Sequence, residues 1–328
     1  MDAVMKTLEV INGVLWHNYV LYTLLGVGIL FTLWSGFGQY RALTHGAAVV
    51  RGKYDRKGDP GAINHFQALS TALSATVGLG NIAGVALAIS VGGPGAVFWM
   101  WVTGVVGMAL KLTEVTQAML FRDTSDPENP KGGAMWVCKK GFARFHPALA
   151  PLGVIVGGIF CLTLLVSTVT GGNMFQAWNV ADIGFSYFGI PQIVTGIVLT
   201  LGVGLVIVGG IRRIGDVAGK IVPLMCGLYL LAGMYVIATN LSEIPAMFGL
   251  IFREAFAPSE AVGAFIGGTA GYGFLKGMQR ALFSNEAGQG SAPIAHSAAK
   301  TDEPVREGVV AGLEPFIDTL VVCTLTAL

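Results

Sequence analysis

Charge is what this chain has least of. Asp, Glu, Lys and Arg make up 12% of its 328 residues, about half the share of a soluble domain. With 53% hydrophobic residues beside that shortage, an ordinary water-soluble fold is excluded. Four cysteines, Cys138, Cys161, Cys226 and Cys323, are scattered without disulfide or metal spacing and read as small packing residues. No Walker A run, HExxH or nucleophile–base pair occurs, so neither an enzyme nor a cofactor is expected, and no nucleic acid as partner. The N-terminus lacks a basic region and a small-residue cleavage site, so the first apolar run is an uncleaved span. A polar C-terminal flank is missing too. The chain stops at Thr326-Ala327-Leu328 inside an apolar segment, as expected of a C-terminally truncated sequence.

What is present is a series of apolar runs near 20 residues long, separated by short polar loops. The fold class read from this is an all-α polytopic membrane protein. Residues 1–15 space Leu8, Val10, Ile11 and Val14 as an interfacial helix does. Spans follow at about 16–37, 62–92, 94–121, 148–178, 190–208, 217–239 and 261–283, and one starts near Gly308. Loops carrying Arg41, Arg51, Lys53, Arg56 and Lys57, and then Arg122, Lys131, Lys139, Lys140 and Arg144, mark the cytoplasmic side. That places the N-terminus outside and the protein in the cell inner (plasma) membrane, surrounded by lipid. Residues 245–256 are too short to span and read as a half-helix or interfacial helix. Ser284 to Glu307 reads as a polar inner loop.

The stretch Ser74-Ala75-Thr76-Val77-Gly78-Leu79-Gly80-Asn81-Ile82-Ala83-Gly84 interrupts the second apolar run with three glycines and an amide. Two readings stay open. The glycines permit close helix packing, or they mark a broken helix, tolerated at membrane depth only where protein or a cavity surrounds it. A second glycine-rich break is read at Gly267-Gly268-Thr269-Ala270-Gly271-Tyr272-Gly273, in a run crossing the opposite way. Two such helices at corresponding positions of opposed repeats point to a secondary transporter.

Gly92-Gly93-Pro94-Gly95-Ala96-Val97-Phe98-Trp99-Met100-Trp101 and Phe283-Ser284-Asn285-Glu286-Ala287-Gly288-Gln289-Gly290-Ser291-Ala292-Pro293 resemble signatures of the alanine or glycine:cation symporter family. So do Ala299-Lys300-Thr301-Asp302 and Phe316-Ile317-Asp318-Thr319 with Cys323-Thr324. The resemblance covers essentially the whole chain. It implies a LeuT-like 5+5 inverted repeat with an extra N-terminal helix, about 8 of an expected 11 spans being present. Residues 1–328 are then one transport domain: an extra span at 16–37, a first repeat at 62–239 and a partial second repeat at 261–328.

The resemblance implies cation-coupled symport of a small neutral amino acid, alanine or glycine, with Na+ (or H+) as coupling ion. It assigns substrate contacts to Thr76, Gly78, Leu79, Gly80, Asn81, Asn173, Gln176, Gly267, Gly268 and Thr269. The amides of Leu79 and Gly80 would hold the carboxylate, as half-helix N-termini do. Sodium would lie on Ser74, Thr76, Val77 and Asn81, mainly on their carbonyls. Leu79 replaces a frequent threonine of the family, and Val169-Thr170 a common aromatic–glycine pair, which bears on pocket size. Within spans, Asp318 is expected to brace the bundle through hydrogen bonds, and Lys111 to pair with Glu114 at i, i+3. Asn285 and Glu286 read as gate or loop-fixing residues, Trp99 and Trp101 as interface anchors, and the five histidines as isolated and structural. The alternatives are a non-transporting fragment or a channel, against which stands the absence of a filter-like motif.

Overall fold

The computed structural model describes residues 2–256 and 272–328. Its helices are α1 (Asp2–Leu15), α2 (Asn18–Trp34), α3 (His65–Thr76), α4 (Leu79–Gly92), α5 (Gly95–Phe121) and α6 (Ala134–Phe145). After these come α7 (Pro147–Phe188), α8 (Gln192–Ile207), α9 (Gly210–Thr239), α10 (Ile244–Ala255), α11 (Tyr272–Asn285), α12 (Ala292–His296) and α13 (Pro304–Ala327). No strand occurs among the described residues, only two isolated β-bridges. Among the described residues, five helical stretches are long and apolar enough to cross a membrane, and α3 with α4 makes a sixth if the bent pair is one span. Of the other two expected spans, α8 is apolar but 16 residues long, and the one before α11 lies partly outside the described residues.

Burial separates two kinds of helix. In α8 no residue is buried, and its Ile, Val and Leu side chains face outward. Such a surface suits hydrocarbon, where the helix satisfies its own backbone groups. By contrast α5 buries Met100, Met108, Leu110, Lys111 and Val115 among others and forms the axis of the bundle. Around it pack α4, α11 and α13.

Small residues set how closely these helices meet. A Cβ added at Gly277 of α11 would lie 2.4 Å from the Ala96 carbonyl oxygen, and one at Gly92 would lie 3.1 Å from Gly273 Cα. Because backbone cannot give way as a flexible side chain does, Gly277→Ala is expected to cost about 1–3 kcal/mol. Thermal unfolding of the purified variant should show a lowered midpoint. Gly92 near Gly273 and Gly80 near Ser284 also place α4 and α11 antiparallel, side by side.

The aromatic residues near the start of α5, expected as interface anchors, are half-buried and fasten other helices to it. Trp99 Nε1 donates to the Ala255 carbonyl at 3.3 Å and Trp101 Nε1 to Thr324 Oγ1 at 2.7 Å. Phe98, Trp99 and Trp101 meet Phe248, Phe252 and Phe256 at the end of α10. The expected short helix at 245–256 is thus packed across α5 by its aromatic face, with Ile251 and Ala255 buried.

Candidate binding site at two helix breaks

The first break is present. α3 ends at Thr76, α4 starts at Leu79, and their axes differ by 43°. Val77 is extended (φ −76°, ψ 108°), and its N–H donates to the Leu73 carbonyl as the last bond of α3. Gly78 N–H, which a continuous helix would give to Ser74, instead donates to Asn81 Oδ1 at 2.7 Å. The Ser74 carbonyl is therefore released, as are those of the last turn beyond it, while the Leu79 and Gly80 amides start a new helix without acceptors among the described residues. A negative helix end and a positive one face each other across two residues.

The glycines divide the two open readings between them. Gly80 is a packing glycine: an added Cβ would lie 3.3 Å from Ser284 Cα. Gly78 is a site glycine: an added Cβ would lie 3.5 Å from Gln176 Oε1, so that amide faces the break. Gln176 follows a π-helical segment, Thr168–Met174, and is half-buried. Asn173, one turn earlier, is exposed, and no side-chain partner holds it among the described residues. Thr76 is buried with Oγ1 3.5 Å from the Leu73 carbonyl, whereas the Ser74 side chain is exposed and turns to the Thr71 carbonyl. Ser74, Thr76 and Val77 thus carry their carbonyls at the break. Asn81 Oδ1 is already engaged by Gly78, with one lone pair remaining.

A second interruption follows α11, whereas the break expected at 267–273 falls almost wholly outside the described residues. Gly267, Gly268 and Thr269 lie outside the described residues, and Tyr272 and Gly273 are already in α11. The helix stops at Asn285, and the chain turns through Glu286 (φ 53°), Gly288 (φ 80°) and Gly290 (φ 77°) before α12. A positive φ is unusual for glutamate; its Oε2 is held by the Ser291 hydroxyl. This segment is no peripheral loop. Ala287 Cβ lies 3.2 Å from where a Cβ on Gly107, midway along α5, would sit, and Asn285, His296, Thr301 and Glu307 are 0% exposed. The reading of 284–307 as a polar loop is corrected in part: Ser284, Asn285, His296, Ser297, Thr301 and Glu307 are buried, while Gln289, Lys300, Asp302 and Glu303 are exposed.

Asp318 joins the two breaks. It sits in a π-helical stretch, Phe316–Cys323, of α13. Its Oδ1 accepts from Asn81 Nδ2 at 2.6 Å, and its Oδ2 accepts from the Ser284 and Thr319 hydroxyls, each at 2.9 Å. Asn285 Nδ2 donates to Thr319 Oγ1 at 3.0 Å, and Asn285 Oδ1 accepts from Ala287 N–H. Asp318 braces the bundle as expected, and Asn285 fixes the turn. Ser284 and Thr319 escaped the sequence reading because isolated hydroxyls in apolar runs carry no pattern. Phe283 meets Phe175 edge-on at 6.4 Å, bringing α11 to the helix that carries Gln176.

On the α3 side of the site lies a second polar assembly. Lys111 does not pair with Glu114; its Nζ lies 3.0 Å from Glu314 Oε2, and Glu114 instead accepts from the Gly290 amide at 3.2 Å. Two histidines expected to be isolated are not: His65 and His296 both bond Glu307, and His296 also bonds Glu314. No cluster of metal-binding side chains occurs among the described residues.

The family model described as the sodium:alanine symporter family matches residues 1–328. The chain is similar to the sodium/alanine symporter AgcS of Methanococcus maripaludis, 44% identical over 328 residues, spanning 100% of this chain and 70% of the relative. It is also similar to the uncharacterized transporter YflA of Bacillus subtilis, 39% identical over 329 residues, 100% of this chain and 68% of the relative. The probable sodium/glutamine symporter GlnT of Bacillus subtilis is 35% identical over 318 residues, 96% of this chain and 63% of the relative.

Proposed function

The chain belongs to the sodium:alanine symporter family, and from that premise we propose that it carries a small neutral amino acid, alanine or glycine, inward across the plasma membrane together with sodium. It is a transporter and not an enzyme. The observation that carries the substrate reading is the first break, where unpaired amides at Leu79 and Gly80 face unpaired carbonyls of α3 beside Gln176. A zwitterion matches that arrangement: its carboxylate goes to the amides at the positive helix end. The Gln176 oxygen is in reach of its ammonium. Sodium, a hard cation, suits the carbonyls of Ser74, Thr76 and Val77 with the remaining lone pair of Asn81. Asn173 and, in the segment before α11, Gly267, Gly268 and Thr269 complete the proposed substrate contacts. The break at Val77–Gly78 supports reading the fold as a LeuT-like inverted repeat, with the α3 end cytoplasmic and the N-terminus outside.

Alternating access follows from the hinge. Because α3 and α4 share no helical hydrogen bond across Val77–Gly78, either half can tilt without unwinding a turn. Sodium bound to the α3 carbonyls fixes the gap and so raises substrate affinity, which is coupling by population shift. Uptake of radiolabelled alanine into proteoliposomes is expected to collapse when sodium is replaced by choline; uptake that persists without a sodium gradient overturns the coupling. In the same assay Gln176→Ala removes one bond to a charged group, worth about 1.5–3 kcal/mol. Apparent affinity should drop by roughly 10–100-fold, with sodium dependence retained.

A further inference from the structure

The buried assembly beside α3 has no part in substrate binding, yet its hydrogen bonds impose a proton count. His296 Nδ1 lies 2.5 Å from Glu307 Oε1, and His296 Nε2 lies 2.5 Å from Glu314 Oε1. Each contact requires one hydrogen between its two atoms. A neutral imidazole carries a single N–H, and a carboxylate carries none. The three groups together therefore hold one proton more than a neutral ring and two carboxylates. All three are 0% exposed. Glu307 also accepts from His65, the first residue of α3, whose Nε2 lies 3.6 Å from the half-exposed Asp55.

We propose that Glu307, His296 and Glu314 form a proton-binding site, and that loss of its proton releases α3, the half of the broken helix that His65 anchors. With the proton in place the unit carries one negative charge, which Lys111 balances at 3.0 Å. Without it, two carboxylates face one lysine in a dry core, and one histidine nitrogen meets a carboxylate oxygen with no hydrogen between them. Among the described residues, Arg122 is the one further cation that feels Glu307, and its hydrogen bonds go elsewhere. Glu114 on α5 and Glu286 at the second break are further acids around Lys111. The Arg122 guanidinium donates to the Ser297 and Ala299 carbonyls, and Arg306 lies nearest Asp59 and Glu303. The release is a simple deprotonation: an N–H bond of His296 breaks, the electron pair stays on nitrogen, and the proton reaches water past His65 and Asp55. The cheapest relief is to part Glu307 from His65, which frees α3 to tilt at Val77–Gly78.

The proton site stands on side-chain geometry; its consequence for transport rests on the reading above, so the test needs no transport. Hydrogen exchange of the full chain in nanodiscs, corrected for intrinsic rates, is followed from neutral to alkaline pH. Protection of the peptide covering 65–76 should fall about tenfold per pH unit above a midpoint, the slope of a single linked proton. Glu307→Gln separates this from a merely structural role. Its carboxamide accepts from one histidine and donates to the other, keeping every bond without the stored proton, so protection should be retained and flat with pH. His296→Gln removes the titrating ring and should be flat as well. A flat wild-type profile, or a titration that survives in either variant, overturns the proposal.

Discussion

Replacing Lys111 with methionine is expected to destabilise the folded protein severely. The lysine is fully buried in α5, and its ammonium is the cation nearest Glu314 apart from His296. Removing one partner of a buried pair strands the other charge, at a cost of about 3–5 kcal/mol. That is a large share of the roughly 5–15 kcal/mol that holds a typical protein together. The double variant Lys111→Met with Glu314→Gln should recover most of the loss. Glutamine still accepts from His296 Nε2, no charge is left alone, and methionine fills similar volume. Size-exclusion profiles and thermal unfolding of the single and double variants in detergent decide the matter. A single variant as stable as the parent would mean that water reaches Glu314.

What the sequence made legible here depended on whether an element's partners are near it in the chain. The first break was legible because glycines and an asparagine interrupt an apolar run, a local pattern, and Val77–Gly78 is where the helix stops. The short helix at 245–256 was legible from its length. The turn at 286–290 was read as part of a polar loop because its glycines, Gly288 and Gly290, stand among Glu286, Gln289 and Ser291. Polar residues in a membrane protein read as loop unless their partners are known, and these partners are remote: His65 and Glu307 are 242 positions apart. The same remoteness hid the Lys111–Glu314 pair behind the nearer Glu114. Asp318 was read correctly as a brace, since a carboxylate within an apolar span must find donors, although Ser284 and Thr319 were not visible as those donors.

Asp318 separates bracing from charge, and two substitutions there are expected to differ sharply. Asp318→Ala strips the carboxylate acceptor from the Ser284 and Thr319 hydroxyls and the shortest bond from Asn81 Nδ2, which keeps the residue-318 carbonyl at 3.1 Å, all in residues at most 1% exposed. Each stranded donor costs about 1–3 kcal/mol, so the two breaks come apart and alanine uptake is lost with much of the stability. Asp318→Asn keeps the shape. Its oxygen takes the place of Oδ1 and accepts from Asn81, while its two N–H groups point to hydroxyls that can rotate to accept. The asparagine variant should therefore fold, bind alanine and retain sodium-dependent uptake within about tenfold of the parent, one to two lost charge-assisted increments at most. Binding measured by calorimetry, beside uptake at varied sodium, tells the roles apart. If the asparagine variant folds and binds alanine but no longer responds to sodium, the carboxylate's charge serves the cation, and bracing is only part of its task.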